Sequence, residues 1–114
     1  MSVFMKTYRE FHGELKASNI GKRLREIVKQ EKSSFKLLTG YGSTTGISKS
    51  KAAAIKSLMK MKKEGLIEDY FPGEIKTKLL DATSQFRNAK LKYESLVKSD
   101  PDYGNDGVIF VFLK

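Results

Sequence analysis

Residues Thr39 to Ser48 read Thr-Gly-Tyr-Gly-Ser-Thr-Thr-Gly-Ile-Ser, and a lysine-rich run follows at once. Three glycines let a backbone approach a ligand closely. Ser43, Thr44, Thr45, Ser48 and Ser50 supply hydroxyl donors. A helix that starts near Lys49 would aim free backbone N–H groups, with their partial positive charge, at the end of this loop. The combination suits an anion, and the phosphates of a nucleic acid are the natural one. A nucleotide loop of the Gly-x-x-x-x-Gly-Lys-Ser/Thr type is not present, because Ile47 and Ser48 separate Gly46 from Lys49. No cofactor is expected. The plain alternative is a connector that ends in a good helix cap.

The helix itself adds charge. At 100° per residue, Lys49, Lys56, Lys60 and Lys63 share one face. Ile55, Leu58 and Met59 share another, with Ala54 and Met61 at its edge. Ala52 and Ala53 flank the basic face and would let a phosphate chain come close. Lys51 and Lys62 fall in the apolar sector near the helix ends, where their stems are expected to snorkel outward. Upstream, Lys22, Arg23, Arg25, Lys29 and Lys32 surround the apolar positions of a second predicted helix. The window from Lys16 to Lys63 holds thirteen Lys/Arg against Glu26 and Glu31 alone. The whole chain carries a net +9, so the positive charge is concentrated there. A concentrated block points to a polyanionic partner more than an even spread would. The candidate binding residues are Lys22, Arg23, Arg25, Ser43, Thr44, Ser48, Lys49, Ser50, Lys56, Lys60 and Lys63.

Other chemistry is thin. The absence of cysteine removes disulfides, thiol catalysis and cysteine-based metal centres. His12 is the one histidine and reads as a side chain at the edge of a helix. Asp100, Asp102 and Asp106 precede Gly107 but lack the bidentate glutamate of a calcium loop, so they read as turn residues. Glu68, Asp69 and Glu74 have no companion nucleophile. No metal site and no enzymatic activity are expected.

Phe4, Tyr8, Phe11 and Leu15 recur at helical spacing and predict an amphipathic first helix. Ser18 or Asn19 is the expected cap of the next, with Ile20, Leu24, Ile27 and Val28 on one face. A short strand is predicted at 35–39, then the loop, then the helix from Lys49 to about Glu64, closed by Gly65. Leu66 to Phe71 reads as a strand stopped by Pro72-Gly73. Ile75, Leu79, Phe86, Tyr93 and Val97 predict one long helix over 74–98. A polar turn follows, then a strand at 107–113 that is apolar on both faces and therefore expected to be central and covered. This is one α+β domain over 1–114, mainly helical with a small sheet.

The run Thr45-Gly46-Ile47-Ser48, the helix from Lys49 to Glu64, and Gly65-Leu66-Ile67 resemble the recognition-helix segment of winged-helix and helix-turn-helix DNA-binding regulators. The resemblance spans about residues 45–67. It implies that the helix enters a DNA groove, with Ser48, Lys49, Ser50, Ala53, Lys56 and Lys60 as contacts. The fold would then be a modified winged helix with a helix inserted between its strands; an unrelated α+β fold stays open beside it.

No apolar run approaches the roughly 20 residues of a membrane span. Met1 to Leu15 carries charges throughout, so no secretory leader is expected and a cytoplasmic location is the default. The expected function is a regulatory or accessory protein that binds DNA or RNA mainly through the phosphate backbone. Only Arg9, Arg23, Arg25 and Arg87 are available to read guanine. The alternative is a small basic adaptor or inhibitor, of the kind carried by phages or mobile elements, that docks an acidic protein or a ribonucleoprotein. In that case the helix over 74–98 would offer a homodimer surface. A membrane surface is not expected as a partner.

Overall fold

In a computed structural model the described residues are 5–12, 15–39, 49–77, 84 and 86–113. Four strands, β1 (Lys6–Tyr8), β2 (Phe35–Leu38), β3 (Asp69–Pro72) and β4 (Val108–Phe112), form one sheet in the order β1-β2-β4-β3. β1 runs parallel to β2, and the crossover between them is α1 (Ala17–Gln30). β4 is antiparallel to both β2 and β3. The remaining helices are α2 (Lys49–Lys63) and α3 (Arg87–Val97), with a short 3-10 turn at Gly73–Thr77. The result is a compact single α+β domain built in three layers.

The layers follow from side-chain alternation in the strands. Phe35 and Leu37 of β2, Ile109 and Val111 of β4, and Tyr70 of β3 pack under α1 and α2. Val108, Phe110 and Phe112 of β4 and Phe71 of β3 face α3, Ile75 and Tyr103 on the other side. β4 is buried along its whole length, as its unbroken apolar run predicts for a central strand. Pro72 pairs with Ile109 at the end of β3, an edge strand, where the missing N–H of proline is tolerated.

Three expectations are corrected. The first segment is not a helix. Residues 6–8 pair in register with 35–37, and residues 9–12 form a turn closed by the His12 amide on the Arg9 carbonyl at 3.1 Å. Tyr8 and Phe11 are still buried, but Tyr8 points from a strand and Phe11 from a turn. Pairing with β2, invisible to local spacing, overrides the helical period. Ser18 and Asn19 lie inside α1; Lys16 is the cap position, and its carbonyl accepts the Asn19 amide at 2.8 Å. The predicted helix over 74–98 is divided. Its first turn is 3-10 and an eleven-residue stretch near its end, Arg87–Val97, is α3, which starts after the Ser84 carbonyl accepts the Arg87 amide at 3.3 Å. Gly73, which opens the 3-10 turn, is wedged against the 102–105 turn, where a Cβ would meet the Asn105 carbonyl oxygen at 2.5 Å.

Candidate nucleic-acid interface

α2 lies beside α1 on one face of the sheet, and its sides are distinct. Lys51, Ala54, Leu58 and Met61 are buried. Ser57 abuts Gly21 of α1, where a side chain on the glycine would touch the Ser57 Oγ at 3.0 Å. Ser50, seven residues earlier, shares that flank and is half-buried. Lys49, Lys56, Lys60 and Lys63 are exposed and form a ridge opposite the buried side. Among the described residues the ridge takes no part in the core.

The helix ends as its sequence requires. Gly65 adopts φ 80°, the left-handed conformation in which glycine carries no steric penalty. The Leu66 amide donates to the Met61 carbonyl at 2.9 Å, and the Gly65 amide to Lys62 at 3.1 Å. These bonds satisfy carbonyls that would otherwise end unpaired.

Ion pairs sort the basic residues. Arg25 of α1 reaches Glu64 at 2.6 Å and ties the two helices together. The guanidinium holds the Glu64 carboxyl below its ordinary range, with a smaller contribution from Lys60. Arg23 is held by Glu10 at 3.1 Å and Glu26 at 3.8 Å, and lies over the Tyr8 ring. So Arg23 and Arg25 already serve the fold, while Lys22 is exposed beside them. Lys51 does not snorkel. It is buried, and its Nζ meets the Glu74 carboxylate at 2.5 Å. Lys62 reaches Asp69 at 3.1 Å. Among the described residues, Lys49, Lys56 and Lys63 make no ion pair.

Of the eleven candidates, Lys49, Lys56, Lys60 and Lys63 are brought together, Lys22 stands on α1, and Ser50 faces the α1 flank. Ser43, Thr44 and Ser48, with the rest of 40–48, lie outside the described residues.

Two features escaped the sequence reading. Lys36, in the middle of β2, is buried and contacts Asp100 at 3.1 Å and Asp102 at 2.8 Å. A lysine inside an apolar strand pattern beside two downstream aspartates was the only available signal, and nothing local joins them. The second is an apolar cleft along the other flank of α2, where Met59 stays exposed although its spacing suggests core.

No protein-family model, curated protein or solved structure matches this chain. Among the described residues, no helix is long and apolar enough to cross a membrane.

Proposed function

We propose that this protein binds nucleic acid, chiefly through the phosphate backbone, with α2 as the contacting helix. The observation that carries this reading is the lysine ridge. Lys49, Lys56, Lys60 and Lys63 stand together on the exposed side of one helix, while Arg25, Lys51 and Lys62 around them are held in ion pairs. Lysines act as point charges toward phosphates, and each contact releases counterions. Lys22 on the neighbouring helix would extend the ridge. The Gly/Ser/Thr segment before Lys49 would add donors at the α2 N-terminus. The reading is one of binding without catalysis, in a regulatory or accessory role.

The winged-helix comparison enters on the same terms. α2 would be the helix laid against DNA, with Lys49, Lys56 and Lys60 outward. Ser50 fits this less well, since it sits on the flank with Ser57. The strand after the helix, β3, pairs with β4 across the intervening 3-10 turn and α3 and not with the next strand of a short hairpin.

The test is fluorescence anisotropy with labelled duplex DNA, single-stranded DNA and single-stranded RNA at two salt concentrations. Binding should fall steeply with salt. The double substitution Lys56→Ala/Lys60→Ala should lower the log–log salt slope by about 1.4 to 1.8, two contacts' worth. Unchanged affinity in that variant, or no binding to any probe at low salt, would overturn the reading. In the second case a pull-down for an acidic protein partner becomes the next experiment.

A further inference from the structure

The flank of α2 that faces away from α1 carries Ala52, Ile55, Met59 and Lys62 at helical spacing. It is not closed over by the described residues. Ala52 is exposed, Ile55 half-buried, and Met59 38% exposed. Facing it are Pro72 at the end of β3 and the half-buried ring of Phe86, which meets Tyr70 edge-on at 5.6 Å. Between these walls runs a cleft of about 410 Å³, and a second of about 380 Å³ continues past Met59 to Tyr70 and Lys63. From Ala52 to Lys63 the cleft follows three turns of helix, about 16 Å by the rise per residue. Its floor is apolar and its rim is the lysine ridge, with Lys56 bordering one half and Lys63 the other.

The charges of the rim select the occupant. Glu74, which lines the cleft, is met by Lys51, and Asp69, next to Tyr70 in the chain, is met by Lys62. Lys56 and Lys63 make no ion pair with the described residues. The cleft thus combines the apolar surface of Ile55, Met59, Pro72 and the half-buried Phe86 with the adjoining positive charge of Lys56 and Lys63. An occupant must present apolar faces at intervals along a polyanionic chain. Unpaired bases on a phosphate backbone do so, and they favour aromatic and thioether surfaces. A duplex keeps its bases stacked inside and would leave the cleft empty.

Resting on the nucleic-acid reading above, we propose that this cleft receives unstacked bases of a single-stranded DNA or RNA segment while the Lys56–Lys63 ridge holds its phosphates.

The test compares one sequence as single-stranded DNA, single-stranded RNA, duplex DNA and an abasic single strand of equal length, at one salt concentration. The protein is the full chain, wild type and Ala52→Leu. Ala52 is exposed on a helix, so leucine keeps the fold, checked by circular dichroism, and fills the cleft without changing charge. The expected result is single-strand binding about tenfold tighter than duplex or abasic binding, the scale of one base–aromatic contact. Ala52→Leu should abolish that preference, so that the variant binds the single-stranded, abasic and duplex probes equally within about twofold. The stronger of the DNA and RNA arms names the source of the bases. Equal affinity for single-stranded, abasic and duplex probes would overturn the cleft proposal and leave the phosphate reading standing. Failure of every probe to bind would overturn both. Polyglutamate is the control without bases: if it binds as tightly as the oligonucleotide and loses as much in Ala52→Leu, the occupant is an acidic peptide and the proposal falls.

Discussion

Position 36 puts an ammonium where strand alternation calls for an apolar side chain facing α3. Lys36 Nζ donates to both oxygens of Asp100 at 3.1 Å and to Asp102 at 2.8 Å. Burial by itself lowers the pKa of such a group. Here the hydrogen bonds and charges of the two carboxylates outweigh it, and the lysine is raised above its ordinary value. Asp100 also accepts the Asp102 amide at 2.8 Å, so one ion cluster fixes the turn that leads into β4. Removing one partner of a buried pair leaves the other charge uncompensated, which costs more than the pair contributes. Lys36→Met should therefore destabilise the protein by about 3 kcal/mol, read from the midpoint of urea denaturation. A loss below about 1 kcal/mol would mean that water already reaches the aspartates. Lys36 also belongs to the basic block of the sequence, yet its charge is spent internally. A count of lysines therefore overstates the charge offered to a ligand.

At the scale of elements, two glycines mark ends of different kinds. Gly65 closes α2 by adopting a positive φ, a local requirement that its position after Lys63-Glu64 makes legible. Gly73 closes β3 for a non-local reason. A methyl group there would lie 2.5 Å from the Asn105 carbonyl oxygen and 2.9 Å from that of Asp102, both backbone atoms that cannot swing away. Gly65→Ala should cost about 1 kcal/mol, the usual penalty for a side chain in the left-handed region. Gly73→Ala should cost more, because the 102–105 turn must shift and the Lys36 cluster with it. Thermal melts of the two variants decide the order; a smaller loss for Gly73→Ala would show that this turn gives way freely. The same contrast explains which elements were legible. α1, α2, β2 and β4 follow from local period and composition. β1 does not, because three residues hold a strand only by pairing with 35–37. The break between the 3-10 turn and α3 does not, because apolar spacing continues across it.

For the whole molecule, the raised groups all point to one alkaline limit. Burial, then the neighbouring Asp69, pushes the Tyr70 hydroxyl up to about 12. Burial and the Glu94 carboxylate raise Tyr103 as well, and Lys36 is raised by its aspartates. A raised folded-state pKa means that the protonated form is favoured by folding. Its contribution is complete below the unfolded value and is lost as pH rises toward the folded one. Stability should hold up to about pH 10 and fall between about 10 and 12. Tyr70→Phe should make that fall shallower without abolishing it, since Tyr103 and Lys36 remain. Denaturant midpoints at stepped pH values give the curve, and an identical alkaline slope in wild type and Tyr70→Phe would assign the loss to the other groups.

By itself the sequence determined the α+β class, the central covered strand, and the exposed lysine face of α2. Each depends on periods of two or 3.6 residues that one segment carries alone. Only the tertiary structure decided which cations are left for a ligand. Arg25–Glu64 spans 39 residues of chain and Lys36–Asp102 spans 66, so no local pattern records them. It also decided that Ile55 and Met59, apolar by spacing, border an open cleft. What covers a helix flank depends on where β3 and α3 lie, and that is set by the sheet order and not by the helix.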